Sequence, residues 1–311
     1  MDLKKIVLML IVLIVQRAVL AEPLIKQTSI HPKNLNGISF KARKEVETIA
    51  DNLSVSAHDP YAASLPLIVS AELGDKKRYK LMRDHMLVEL NALQKKPTDF
   101  PQWMRNESFK GWMLGRVLLA ADAMTNTAMV MQIRCKLLHV LEEPLTKDDS
   151  LAFHTWAEAY FTAMDKKNYR MYQEKMRHDT MTLSDEYKAK RTHEALSNVL
   201  WACVMDLYAA ANAEDRQNYE LIKQEIRSLT GTESVSEGLE KNLLRTADSN
   251  DYPAWAMARV RLAAAVMHDA DLYSEIEGAL TSSTEGAKKA DAKAEYALAI
   301  VDNQLAMVQG N

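Results

Sequence analysis

The stretch WMLGRVLLAADAM, residues 112–124, returns as WAMARVRLAAAVM at residues 255–267, with seven of thirteen aligned positions identical. Shared alanines carry little weight in helix-forming sequence. Trp112/Trp255, Arg116/Arg259, Val117/Val260, Leu119/Leu262 and Met124/Met267 are harder to ascribe to composition. On a helix, Trp112, Gly115, Arg116, Leu119, Ala120 and Ala123 share one face, as do Trp255, Ala258, Arg259, Leu262, Ala263 and Val266. The small residues on that face predict close approach of a neighbouring helix. Each Arg follows its Trp by four residues, so its guanidinium is expected to lie on the indole.

Outward from this pair, the same organisation recurs. Glycine occurs only 9 times in 311 residues, and β-branched runs that would mark strands are missing beyond the amino terminus, so the chain is expected to be nearly all helix. Apolar spacing and capping signals predict helices over 42–56, 60–73, 76–94, 108–124, 127–142, 148–164, 166–181, 185–211, 214–229, 236–246, 253–267, 270–281 and 287–308. These pair into hairpins. A Trp/Ala/Leu-rich helix enters a short polar turn, and a second helix starts with charged residues and a large side chain: AELGDKKRYKLM, DAMTNTAMVMQI, TAMDKKNYRMYQ, ANAEDRQNYELI and AVMHDADLYSEI. Tyr79, Met129, Tyr169, Tyr219 and Tyr273 are expected in equivalent places, 50, 40, 50 and 54 residues apart. A lone hairpin leaves one face uncovered, and stacking neighbours buries it.

Gly74-Asp75 followed by Tyr79 resembles the turn of a tetratricopeptide repeat, and the two-helix units of residues 58–308 resemble that superfamily of α-solenoids. The units depart from a regular 34-residue length, and the Pro that closes each unit of that family is mostly missing. The resemblance implies a curved superhelix whose concave surface holds a peptide or protein. An α/α toroid, as in some exported polysaccharide lyases and hydrolases, is the alternative architecture.

The opening MDLKKIVLMLIVLIVQRAVLAEP reads as a signal peptide. Its apolar run, Ile6 to Val15, is half the roughly 20 residues needed to span a bilayer. Cleavage after Ala21 is expected, giving a periplasmic or secreted chain; an uncleaved amino-terminal anchor is the alternative. Residues 22–40, with two Pro, read as an extended lead, and 41–311 as one helical repeat domain whose loops lie at 94–108 and 230–238. Losing Asp2, Lys4, Lys5 and Arg17 with the signal takes the formal charge from −3 to about −5. With no basic run, nucleic acid is excluded as a partner class. No later apolar run is long enough to insert in a membrane. Export would permit a Cys135–Cys203 disulfide, although both cysteines lie in apolar helical stretches that suit free thiols.

Chemical motifs are sparse. Asp122 and Asp206 are carboxylates within apolar helices, where burial would raise the pKa. His154 and Glu158, four apart in FHTWAEAYF, can share a face as metal ligands, but two ligands do not make a site, and HExxH, CxxC and EF-hand patterns are missing. The 17 methionines, densest at Met124, Met129 and Met131 and at Met171, Met176 and Met181, fit core filling better than copper binding. No GxGxxG, P-loop, GxSxG or Cys-His arrangement occurs, so neither a cofactor, a metal nor a catalytic residue is assigned. The expectation is a binding scaffold for a protein or peptide in the cell envelope, with Trp112, Trp156, Trp201 and Trp255 as aromatic anchors and Arg116 and Arg259 gripping carboxylates. The competing expectation is a toroidal enzyme using Asp122, His154, Glu158 or Asp206 for proton transfer.

Overall fold

The computed structural model describes residues 60–147, 149–163, 166–243 and 251–282, with isolated positions at 44, 47 and 48. The signal peptide, the extended lead and the helices expected at 42–56 and 287–308 lie outside the described residues. What is described is helical, without strands. The helices are α1 (Pro60–Glu72), α2 (Lys76–Lys95), α3 (Gln102–Arg105), α4 (Glu107–Ala123), α5 (Thr127–Glu142), α6 (Leu151–Ala163), α7 (Lys166–Lys190), α8 (His193–Asn212), α9 (Arg216–Thr230), α10 (Val235–Asn242), α11 (Asp251–Val266) and α12 (Ala270–Ser282). No helix among the described residues is long and apolar enough to cross a membrane.

The pairing follows from the two kinds of helix. Second helices are one-sided: α2 buries Tyr79, Met82, Met86, Glu89 and Leu93, alternating steps of three and four, and α9 buries Asn218, Tyr219, Lys223 and Ile226. Such helices need one apolar partner and leave the other face to water. First helices are buried nearly all round, as in α4 from Gly111 to Ala121 and α8 from Val199 to Ala211. They form an inner row in which α1 packs on α4, α4 on α6, α6 on α8 and α8 on α11, while α2, α5, α7, α9 and α12 each pack on the first helix of their own hairpin. Gly115 marks a close crossing: a Cβ there would lie 2.6 Å from Tyr160 Cβ on α6. This is the close approach that the small residues predict.

Four of the turns share one backbone device. Gly74, Thr125, Glu214 and His268 all adopt left-handed φ, between 52° and 65°. In each turn the N–H of that residue and of the next one close back on the preceding helix: Gly74 on Ala71 and Asp75 on Ser70, Thr125 on Asp122 and Asn126 on Ala121, Glu214 on Ala211 and Asp215 on Ala210, His268 on Ala265 and Asp269 on Ala264. This is the Schellman pair of bonds, and it holds non-glycine residues where glycine is the cheaper choice. The next residue then caps the following helix. Asp75, Asn126, Asp215 and Asp269 accept from the N–H of Arg78, Met129, Asn218 and Leu272.

Counting from the cap corrects one expected equivalence. The fourth residue after the cap is Tyr79, Tyr219 or Tyr273, but after Asn126 it is Val130, so Met129 stands one place early. Met129 still joins the pattern by another route, because the Tyr79 hydroxyl lies 3.3 Å from its sulfur. Elsewhere a tyrosine of one hairpin meets the cap of the next. Tyr169 donates to Asp215 at 3.0 Å and Tyr219 to Asp269 at 3.1 Å. Burial, with the carboxylate each phenol serves, pushes both hydroxyls above their ordinary pKa.

Asp269 adds a cation to these partners. Besides Tyr219 and the Leu272 N–H it accepts from Lys223 Nζ at 2.5 Å. Burial alone would raise its pKa, but Lys223, the Leu272 N–H and the Tyr219 hydroxyl outweigh burial and hold the carboxyl below its usual value. A folded pKa lowered in this way stabilises the native state above the unfolded value, and the contribution is lost as pH falls below about 4. Asp269→Asn is therefore expected to lose about 1.5–3 kcal/mol at pH 7 and to converge toward wild type near pH 3. Urea midpoints at the two pH values decide this, and an equal gap at both would refute it.

Two boundaries differ from expectation. The break placed at 182–184 does not exist, since α7 runs unbroken through Lys190 and the stop comes at Arg191 (φ 52°). Thr192 caps α8 by accepting from the Ala195 N–H. Leu183 and Ser184 look like a cap in sequence, yet both are buried and continue the inward face of α7. The loop expected over 94–108 carries a 3-10 turn (Pro97–Asp99) and the short α3.

Candidate functional site: a buried charged cluster between two inner helices and an outer one

The expected binding residues are buried within the chain. Trp112, Trp156 and Trp201 are 5–9% exposed, and Arg116 and Arg259 are each 3% exposed. Side chains with so little area in contact with solvent do not lie on an open concave face. The first helices bury their Trp/Arg side as well as their apolar side, so helical period alone could not tell an inward face from a groove-lining one. Trp255 belongs to α11, and its side chain lies outside the described residues.

These rings form a continuous file. Trp112 lies 5.3 Å from Phe109 and from Phe153, Phe153 lies 5.1 Å from Trp156, and Trp156 lies 5.2 Å from Trp201, so the file passes from α4 through α6 to α8. Arg116 stacks on Trp112 at 5.0 Å, as the spacing of four predicts. Arg259 lies over the ring of Tyr208 of α8, at 4.9 Å. Arg261, which the sequence reading passed over, is equally buried and lies 4.3 Å from the centre of Tyr273.

A second group lies along α6, α7 and α8. His154 and Glu158 share a face of α6, as their spacing predicts, with Nε2 3.4 Å from Glu158 Oε1. Lys175 of α7 reaches both, its Nζ 2.5 Å from that carboxylate oxygen and 2.8 Å from His154 Nε2. A neutral imidazole with its proton on Nδ1 would accept from the ammonium at Nε2. Asp179, one turn beyond Lys175, completes the cluster: one ligand atom from each of His154, Glu158 and Asp179 lies within 4.8 Å of the other two. Burial and then the charge of Glu158 push the Asp179 carboxyl above its ordinary pKa, against the pull of Lys175, His154 and His178.

Asp206 of α8 borders the same region. It accepts from the Thr180 hydroxyl at 2.7 Å. Its carboxyl is pushed well above the usual range by burial, beyond what that hydrogen bond restores, with the charges of Glu158, Glu225 and Asp179 adding to the rise. This is the direction expected for a carboxylate in an apolar helix. Asp122, by contrast, is half-buried at the end of α4, where its carbonyl oxygen accepts the Thr125 N–H of the turn.

Lys175 and Asp179 were missed in the sequence, though a signal exists. α6 ends at Ala163 and α7 starts at Lys166, so the midpoint of the connection lies equally far from His154 and Lys175. In an antiparallel hairpin, residues equally distant from the turn face each other. Cys135 is exposed, Cys203 is buried, and both are free thiols; burial raises the pKa of the Cys203 thiol. Comparison with known proteins finds no matching family model, no matching curated protein and no matching solved structure.

Proposed function

We propose that this chain is an exported scaffold of tetratricopeptide-like hairpins that holds a partner polypeptide in the cell envelope. The observation that carries this reading is the inner row α1, α4, α6, α8, α11, in which each first helix finds its burial on the neighbouring unit. Quasi-one-dimensional stacking of this kind builds extended binding surfaces in repeat proteins generally. Among the described residues α1 and α11 do not pack substantially on each other, which favours an open superhelix over a closed toroid.

With the aromatic file and Arg116 and Arg259 turned inward, the surface offered to a partner is that of the second helices. Leu81 and Val88 of α2 are 57% and 61% exposed and stand seven residues apart on one stripe. That is the spacing at which an amphipathic partner helix docks its own apolar face. The test is cross-linked capture from the native envelope with wild type and with Leu81→Asp/Val88→Asp. Both sites are solvent-facing, so the variant is expected to keep the wild-type thermal midpoint. A polypeptide held by wild type and at least tenfold depleted from the variant is the expected result. Equal capture by both would place the surface elsewhere, and enrichment of envelope glycan instead of polypeptide would favour the toroidal enzyme.

A further inference from the structure

We propose that His154, Glu158 and Asp179 form a binding site for a divalent transition-metal ion of the zinc class, with Lys175 acting as a removable stand-in for the ion. The inference is independent of the scaffold reading.

Three observations point to a cation. First, two of the donor atoms are already at ligand spacing, and one from Asp179 lies within 4.8 Å of them. Metal bonds of about 2.0–2.2 Å in a tetrahedral site put neighbouring donors about 3.4 Å apart, and His154 Nε2 lies 3.4 Å from Glu158 Oε1. Second, the groups are buried without being fully satisfied. His154 is 1% and Glu158 0% exposed, yet Glu158 Oε2 has no hydrogen-bond partner among the described residues. A buried carboxylate oxygen left in this state costs free energy that a bound ion would recover. Third, the group now seated between the donors enters from outside: Lys175, in contact with Glu158 and His154, keeps its side chain 43% exposed. Lys175 thus reaches in from solvent to the point between His154 Nε2 and Glu158 Oε1. It can swing back out and leave that point to a doubly charged ion.

The donor set selects the metal. An imidazole nitrogen with two carboxylates suits Zn²⁺ and its first-row neighbours, whereas Mg²⁺ and Ca²⁺ prefer oxygen alone. Nε2, the ring nitrogen that faces Glu158 and Lys175, is the one that would bind the metal. Three protein ligands leave a fourth position for water, the composition of an open zinc site.

The test uses the full, untagged chain stripped with a chelator and titrated with Co²⁺, whose visible absorption reports tetrahedral coordination, followed by competition with Zn²⁺. Wild type is expected to bind one Co²⁺ per chain and to yield it to Zn²⁺. His154→Gln and Glu158→Gln should each weaken binding at least about tenfold. Lys175→Met, which retains the ligands and removes the competing ammonium, should bind at least as tightly as wild type. Absence of the band in folded wild type, an undiminished band in His154→Gln, or binding by Lys175→Met alone would each overturn the proposal. The last of these would show Lys175 to be a permanent ion-pair partner. If the ligand variants do not fold, the comparison of wild type with Lys175→Met still decides it.

Discussion

Gly115→Ala is expected to lower the unfolding free energy by about 1–3 kcal/mol, although alanine is the better helix former by about 1 kcal/mol. The reason is where the added methyl would go. It would meet Tyr160 Cβ at 2.6 Å and the Tyr160 ring at 3.0 Å. A Cβ cannot rotate out of the way as a side-chain tip can, so α4 and α6 must move apart along a crossing that is packed on both sides. Gly111 provides the control one turn earlier. There the added Cβ would come no closer than 3.0 Å to Ala157 Cβ and 3.1 Å to a Val140 methyl, and part of the strain can be offset by the gain in helix propensity. Gly111→Ala should therefore cost clearly less than Gly115→Ala in urea denaturation followed by circular dichroism. A Gly115→Ala protein as stable as wild type would mean that α4 and α6 are further apart than described.

Trp156→Ala is expected to cost more, about 3–5 kcal/mol, the range for removing a large ring from a closed core. Trp156 belongs to the second of three adjoining hairpins. It touches Phe153 on its own helix, Trp112 at 5.8 Å toward α4, and Trp201 at 5.2 Å toward α8. Its removal opens a cavity between units rather than inside one. Beyond lost burial, tilted and edge-on ring pairs contribute about 0.5–1.5 kcal/mol each. A double-mutant cycle of Trp156→Ala with Trp201→Ala should show coupling of that size. A loss below about 1 kcal/mol for the single variant would mean that the ring is exposed in solution and would revive its role as a ligand anchor.

What could be read from the sequence divides along the same lines. The hairpins were legible because their punctuation is local: an Asp or Asn cap, a large side chain four residues on, and an apolar stripe with period 3.6 all lie within a dozen residues. The close contact at Gly115 and the stacking of Arg116 on Trp112 were legible for that reason too. The fate of Arg259 was not. Its contact with Tyr208, 51 residues away in a neighbouring unit, has no local signal in the sequence. The burial of Trp112, Trp156 and Trp201 was hidden by α4, α6 and α8 having little polar surface at all, which removes the contrast that periodicity needs. His154 and Glu158 were visible as a pair. Lys175 and Asp179 became visible only once the hairpin had been folded back on itself.

The tyrosine bonds between hairpins also give the chain a direction. Tyr169 and Tyr219 each rely on an acceptor, Asp215 or Asp269, that lies some fifty residues later, whereas each of those caps already has a donor in its own helix. During synthesis a hairpin can thus complete its turn and cap as soon as it has emerged, while its phenol waits for the next unit. At about 5–20 residues per second, that wait is several seconds for each unit. A ribosome stalled between two hairpins would expose a polypeptide whose unpaired phenol is poised to receive the cap that comes next. A fragment beginning at a later hairpin would carry no such debt.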